Sequence, residues 1–478
     1  MRRGVEVVFL TGEPVSRLHA LLDDPLASFV VIESPVTTLS NGDGQDRTPE
    51  EQVRLDAFST AKALGTGNID IIVLDHYSLS DTWLKMVKEL TGSRSLAIDD
   101  CGRHWTSADV ILDSALDSAG RYEVHHETQI GCFGPSFAPL GPQYRAIPRR
   151  VLTTRIEHRV SVFFGGSDEF DATGMALEAI RSIEGIDLKA HTVLGEFNPN
   201  SQQLREKFSS DRFVFEEPGD TMFQQLLDST ICVGAGGTTT WERLCMGVPS
   251  IVLSTAQNQE VIAEQLGRED YLRYLGSVED VKESDLTAAI LQLLRDDEMR
   301  RLMSLRSQLL VDGLGSFRIS EIMLPSTGIR VFLRKAVVDD TLFGFRIISS
   351  DRSRWFGTRP AAAESAVNSW DAFCRWFGEE VVSQRGDRVV VAEMRGVPVG
   401  LVLFEVVNGA KVLPHVVMDE TMCQTEFLMG LLEECRVWCT VKLGSQFSFC
   451  RSDPMDDETR RALTRINPIE WNDKSYLL

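Results

Sequence analysis

The stretch Val233-Gly234-Ala235-Gly236-Gly237-Thr238-Thr239-Thr240-Trp241-Glu242-Arg243 decides how the rest of the chain is read. It follows an apolar strand predicted at 230–233 and opens a helix. Small residues there let backbone amides approach a phosphate, while the exposed N–H groups and the positive end of the helix favour an anion. The threonine hydroxyls add donors. Glu242, one turn into the helix, cannot contact phosphate, but it suits hydrogen bonds from sugar hydroxyls, as an acidic residue does in dinucleotide sites. The competing reading is a glycine-rich turn made only for close strand–helix packing.

Working outward, a strand at 160–164 ends in Gly165-Gly166-Ser167-Asp168 and is followed by a helix at 174–183. Further strands are predicted at 188–193, 213–216 and 250–253, with helical spacing between them. The first ~145 residues carry the same alternation, with strands at 5–10, 29–32, 69–74, 95–98 and 110–112 and helices at 15–22, 50–63 and 80–90. Residues 35–49 read as a surface loop. Two successive strand–helix series imply two doubly wound lobes facing a cleft, the default ligand site.

A long charged helix is predicted over 285–310, then a linker at Pro325-Ser326-Thr327-Gly328. Beyond it the pattern turns to hairpins, with strands at 388–392, 399–406 and 411–417 and turns at Arg395-Gly396 and Asn408-Gly409. The fold class expected is therefore α/β, two Rossmann-like lobes at 1–148 and 149–326, followed by a separate α+β domain at 327–478.

Composition narrows the function. The 478 residues hold 49 Lys plus Arg against 70 Asp plus Glu, a net charge of −21, with 43% hydrophobic and 25% charged residues. Such a chain is globular, and its field repels polyphosphate, so neither nucleic acid nor an anionic membrane is an expected partner. No apolar run approaches the ~20 residues that span a bilayer, and a cytoplasmic location is expected. Nine cysteines without a Cys-x-x-Cys pair read as buried thiols. No His and acid spacing forms a metal cluster, so metal-independent chemistry without a cofactor is expected.

The order of residues around Gly236 resembles the Gly-Ala-Gly-Gly-x-Thr-Thr-Trp-Glu-Arg segment of the UDP-2,4-diacetamido-2,4,6-trideoxy-β-L-altropyranose hydrolases of pseudaminic acid biosynthesis, followed by Gly247-x-Pro249-Ser250 and Asn258-Gln259. Leu74-Asp75-His76-Tyr77-Ser78-Leu79 with Trp83, Ile98-Asp99-Asp100, Leu112-Asp113, Gly141-Pro142-Gln143-Tyr144 and Phe163-Phe164-Gly165-Gly166-Ser167-Asp168 recur in that family in the same order. The similarity covers residues 1–320 and implies a two-lobed glycosyltransferase-B (GT-B) fold that releases UDP from a sugar nucleotide. It implies that Gly165, Gly166 and Ser167 together with Gly236, Gly237, Thr238, Thr239 and Thr240 line the diphosphate, Glu242 the ribose, and Gln259 the nucleotide. Tyr77 and Asn258 match positions that face the sugar and its leaving diphosphate. A phenol and an amide donate neutral hydrogen bonds to developing phosphate charge without titrating near pH 7. A tyrosine at a strand end is otherwise more often simply packed.

The chain departs from that family at its beginning. It is expected to open at what resembles the second strand, without the first strand and the Gly-His-x-x-Arg loop that in the family carries the water-activating histidine. His19 lies in an expected helix without adjacent glycines. The general base is expected to be missing or supplied from elsewhere. His76 is the substitute at hand, since imidazole titrates near neutrality, against a plain structural role. Of Asp99 and Asp100, adjacent on a strand end, only one can face the cleft, and capping the next turn is the competing task.

The last domain resembles the acetyl-CoA-dependent N-acetyltransferase (GNAT) fold, with its first strand at 329–336 and a Pro-x-Gly hairpin within 396–404. The family's pyrophosphate turn, Arg/Gln-x-x-Gly-x-Gly, corresponds here to Asp419-Glu420-Thr421-Met422-Cys423-Gln424-Thr425-Glu426-Phe427, without glycine and with added acid. This domain is expected to be degenerate and to bind acetyl-CoA poorly or not at all. Three readings stay open: a UDP-sugar hydrolase, which leads; a glycosyltransferase with the same nucleotide pocket; and an inactive sugar-nucleotide-binding scaffold for other pathway enzymes.

Overall fold

Short apolar runs separated by amphipathic segments fold as parallel strands, because each return to the same edge needs a crossover helix. The computed structural model describes residues 7–11, 27–31, 49–64, 69–123, 128–145, 147, 150, 158–195, 197–216, 221–324, 331–350, 353–356, 361–382, 388–407, 411–419, 421, 425–443, 446–449 and 476–477. The chain divides into two compact units, Met1–Pro139 and Leu140–Leu478.

In the first unit β1 (Val7–Thr11) and β2 (Ala27–Val31) pair in parallel. After α1 (Pro49–Leu64), the strands β3 (Ile71–Leu74), β4 (Arg94–Ile98), β5 (Val110–Asp113) and β6 (Ile130–Phe133) form a separate parallel sheet in that order. Between β3 and β4 runs α2 (Asp81–Thr91), whose start is capped by the Ser80 hydroxyl accepting from the Trp83 amide. Gly92, at φ 72°, ends it. The helix buries Trp83, Leu84 and Val87 against Leu74, Ala97 and Ile111 of the sheet. The helix expected at 15–22, with His19, lies outside the described residues. Strand β6 escaped the sequence reading, since Ile130-Gly131-Cys132-Phe133 is too short to show alternation.

The second unit opens with β7 (His158–Phe163), α3 (Ala172–Arg181), β8 (Leu188–Val193), α4 (Ser201–Lys207), β9 (Phe213–Glu216) and α5 (Thr221–Asp228). It continues with β10 (Ile231–Ala235), α6 (Thr239–Cys245), β11 (Ser250–Ser254), α7 (Gln257–Arg268) and β12 (Arg273–Ser277). All six strands are parallel, in the order β12-β11-β10-β7-β8-β9. Counted in the order the chain makes them, that is the 3-2-1-4-5-6 arrangement of a doubly wound nucleotide-binding fold. The expected helix at 285–310 is two helices, α8 (Glu283–Arg295) and α9 (Asp297–Leu310). Asp296 breaks it: its carboxylate accepts the Met299 amide at 2.8 Å and its backbone turns to ψ 90°.

After α10 (Gly315–Met323) comes the last sheet. It contains β13 (Val331–Lys335), β14 (Ser353–Phe356), β15 (Val389–Met394), β16 (Val397–Val407), β17 (Lys411–Asp419), β18 (Gln446–Phe449) and β19 (Tyr476–Leu477). The path β13-β15-β16-β17 is antiparallel, β18 joins β17 in parallel, and β14 pairs with the far half of the same β17 edge, Val416–Asp419. Arg395 and Gly396, at φ 55° and 76°, make the tight turn between β15 and β16. The Asn408-Gly409 turn and the linker at 325–328 lie outside the described residues. The fold class is thus the one expected, α/β with two parallel-sheet lobes and a third α+β part.

The last sheet does not close its core alone. Leu314 and Phe317, at the head of α10, pack with Val390, Val402, Val416 and Phe427. Beside them Arg318 pairs with Asp312 at 2.5 Å and with Asp419 at 2.7 Å. Burial pushes the Asp312 carboxyl up, but the Arg318 guanidinium outweighs it and holds the group at about 2.

Candidate functional site

In the second unit β7 and β10 are neighbours whose crossovers leave in opposite directions, and ligands of such sheets sit outside the carboxyl ends of the strands at this point. The register Val162↔Val233 and Phe163↔Gly234 sets the turns that follow the two strands side by side. These are the two glycine-rich turns of the sequence, nearly 70 positions apart, and the strand order turns both toward one crevice.

The first turn is held from beneath. Gly165 takes φ 91°, a conformation that side chains resist. Gly195, after β8, approaches so closely that a Cβ there would lie 2.2 Å from the carbonyl oxygens of both Gly165 and Gly166. The Phe197 amide donates to the Gly166 carbonyl at 3.0 Å. Asp168 is buried, and its carboxylate accepts the amides of Ala172 and Thr173 at 2.9 and 3.0 Å and the Asn198 amide group at 3.2 Å. These bonds cap α3 and leave Gly166 and Ser167 exposed.

In the second turn the Gly236 amide donates to the Leu253 carbonyl at 3.1 Å, so it serves the sheet. Thr238 is exposed and Gly237 half-buried, open to a ligand, with Thr239 at the first position of α6. Thr240 turns inward: it is buried, and its hydroxyl accepts from Arg243 at 2.8 Å. Gln259, on α7, packs against Gly236, where a Cβ would lie 3.2 Å from the Gln259 Cβ, and its side-chain carbonyl accepts the Thr255 amide of the next loop at 3.0 Å. Asn258, on the same first turn of α7, is exposed.

Glu242 is half-buried and its Oε2 accepts the Tyr144 hydroxyl at 2.8 Å, a bond spanning 98 positions of sequence. Among the described residues Oε1 has no partner. Tyr144 is buried, edge-on to Phe223 at 5.2 Å, and burial together with the Glu242 charge pushes its phenol above the ordinary range. Tyr144 therefore remains a donor at any working pH and aims the carboxylate. The sequence shows Tyr144 only as the end of Gly141-Pro142-Gln143-Tyr144, since no spacing rule links it to Glu242.

The remaining predicted residues belong to the first unit. His76 and Tyr77 follow β3 and are exposed; His76 Nδ1 accepts the Ser78 amide at 3.1 Å, and the Tyr77 hydroxyl donates to Asp100 at 2.9 Å. Asp99 points inward, accepting from the Arg103 amide at 2.8 Å and Nε at 2.6 Å and from Tyr122 at 2.9 Å. Burial raises its pKa, yet the Arg103 hydrogen bonds leave it below the usual range. Asp99 thus caps its own turn and Asp100 is the one that reaches outward. Ligand atoms of Asp99, Asp100 and Cys101 lie within 4.8 Å of one another, but Asp99 is fully engaged by Arg103 and Tyr122.

No family model matches the chain. It is 23% identical over 259 residues to the spore coat polysaccharide biosynthesis protein SpsG of Bacillus subtilis (strain 168), a match covering 53% of this chain and 76% of that protein. An uncharacterized protein of Methanocaldococcus jannaschii is 22% identical over 219 residues, 44% of this chain and 43% of that protein's length. Among solved structures the chain is similar to Acinetobacter baumannii MurG, at 12% identity and TM-score 0.46, over 67% of this chain and 91% of that one. No helix among the described residues is long and apolar enough to cross a membrane.

Proposed function

We propose that the chain is a sugar-nucleotide-processing enzyme of carbohydrate biosynthesis, that its second unit holds UDP, and that it hydrolyses the bond between UDP and a diacetamido-trideoxy-hexose. The observation that carries the reading is the pairing of two glycine-rich turns at the reversal point of a doubly wound sheet, with a carboxylate one turn into the following helix. The amides and hydroxyls of residues 165–167 and 237–239 suit a diphosphate, and the Tyr144-aimed Glu242 suits the ribose hydroxyls. Fixed donors toward the phosphates stabilise UDP as it departs, the charge that grows in the transition state. The name of SpsG, a polysaccharide biosynthesis protein, agrees with this class of work. The catalytic roles of Tyr77, His76 and Asn258 belong to the same proposal.

The strand order β13-β15-β16-β17-β18, antiparallel and then parallel around a helix at Thr425–Lys442, supports the acetyltransferase-like reading of the third part. Poor acetyl-CoA binding is supported by two features at the end of β17: β14 covers its edge at Val416–Asp419, and the Asp419 carboxylate, tied to Arg318, stands where the chain leaves for the glycine-free turn.

Incubation with a panel of UDP-amino sugars, following UDP release and the configuration of the freed sugar, tests the function. Release without an acceptor is expected. Release only with an acceptor makes the chain a glycosyltransferase, and binding without turnover makes it a scaffold.

A further inference from the structure

Behind the second glycine-rich turn lies a buried cation. Arg243 is 2% exposed, and its Nη2 donates to the Ala235 carbonyl at 2.6 Å and to the Thr240 hydroxyl at 2.8 Å. Nε and Nη1 are buried without a hydrogen-bond partner. Among the described residues no carboxylate reaches the guanidinium; its neighbours are the Cys232 thiol and the backbone of Gly234, where a Cβ would lie 2.5 Å from Nη1. Arginine keeps its charge in proteins, and a buried charge without a counter-ion is costly to maintain. Both oxygens it bonds belong to the turn: Ala235 leads into it and Thr240 closes it. The positive charge is thus fastened to the back of the segment whose front faces the crevice.

We infer that Arg243 is a positioning residue that acts through this turn, an internal counter-charge that gives the pocket its preference for a nucleoside diphosphate over the uncharged nucleoside. The inference rests on the proposed UDP site. The bound diphosphate supplies the negative charge that the protein withholds, at longer range than a direct contact and within a low-dielectric interior. Thr240 and the Ala235 carbonyl, held by the same guanidinium, keep the Gly237 and Thr238 backbone turned outward.

Titration of the full chain with UDP, UMP and uridine tests this, using three variants. Arg243→Met is expected to lose about tenfold or more in UDP affinity with little change for uridine, and Arg243→Lys, which keeps the charge, to retain most of the preference. Should Arg243→Met fail to fold, Cys232→Asp places a carboxylate beside the guanidinium and neutralises it in place. It is expected to shift the UDP to uridine ratio in the same direction. Equal weakening of UDP and uridine in Arg243→Met or Cys232→Asp, or an unchanged ratio in either, overturns the inference while leaving the site reading intact. Failure of the unaltered protein to bind UDP at all overturns both.

Discussion

Replacing Glu242 by Ala separates a ribose ligand from a packed helix residue. The substitution removes Oε1, the oxygen turned to the ligand in our reading, and Oε2, which accepts from Tyr144 at 2.8 Å. A hydrogen bond to an ionised group contributes ~1.5–3 kcal/mol, so UDP is expected to bind ~2 kcal/mol more weakly, about 30-fold in Kd. The Tyr144 hydroxyl, buried and left without its acceptor, costs a further ~1–3 kcal/mol, but in folding stability. Affinity alone would mix the two effects. Calorimetric titration with UDP and with 2′,3′-dideoxy-UDP keeps them apart: the unaltered protein should prefer UDP by about 30-fold, and Glu242→Ala should bind both alike. Tyr144→Phe should keep the preference while lowering the melting temperature. If the unaltered protein binds the two nucleotides equally, or if Glu242→Ala still discriminates, Glu242 does not hold the ribose.

Arg318→Met removes the nearer counter-charge of Asp312, leaving Arg346 at 3.9 Å, and the ion-pair partner of Asp419, and urea unfolding should show a loss of ~3–5 kcal/mol. Asp312 is held at about 2, below its ordinary 3.8, so its contribution is full above pH ~4 and is lost as pH falls toward 2; stability measured at pH 5 and pH 2.5 should differ by up to ~2 kcal/mol from this group, and Asp312→Asn should flatten that part of the profile. Gly195→Ala drives a methyl into the carbonyl oxygens of Gly165 and Gly166, 2.2 Å away, which the backbone can relieve only by moving the first turn. Overpacking of ~1–3 kcal/mol should appear as a lower melting temperature together with weaker UDP binding, and unaltered binding would detach that turn from the nucleotide.

Elements with strong local signals were legible. Strands at 188–193 and 213–216 and the helix at 80–90 emerge within a residue or so of their expected bounds, because apolar periodicity and a Ser80 cap specify them locally. What the sequence conceals is set by long-range geometry. Tyr144 meets Glu242 across 98 positions, and Gly195 is forced by the approach of Gly165 and Gly166. Thr240 looked like one more open hydroxyl, but the helical turn rotates it onto Arg243. The split at Asp296 followed from a carboxylate able to cap a new helix in the middle of a uniform pattern. The glycine-rich stretches were recognisable singly; their adjacency depends on strand order, which composition does not encode.

The helix Gly315–Met323 lends Leu314 and Phe317 to the sheet that follows it, so the apolar interior of the last third of the chain is roofed by residues encoded before it. A truncation at the natural-looking seam near residue 326 would leave both fragments with a raw greasy wound and would take Asp419 away from Arg318, which would keep Asp312. Expression trials aimed at a minimal piece around the two glycine-rich turns should therefore carry the tail along, and grafting that tail onto another protein would require taking its preceding helix as well.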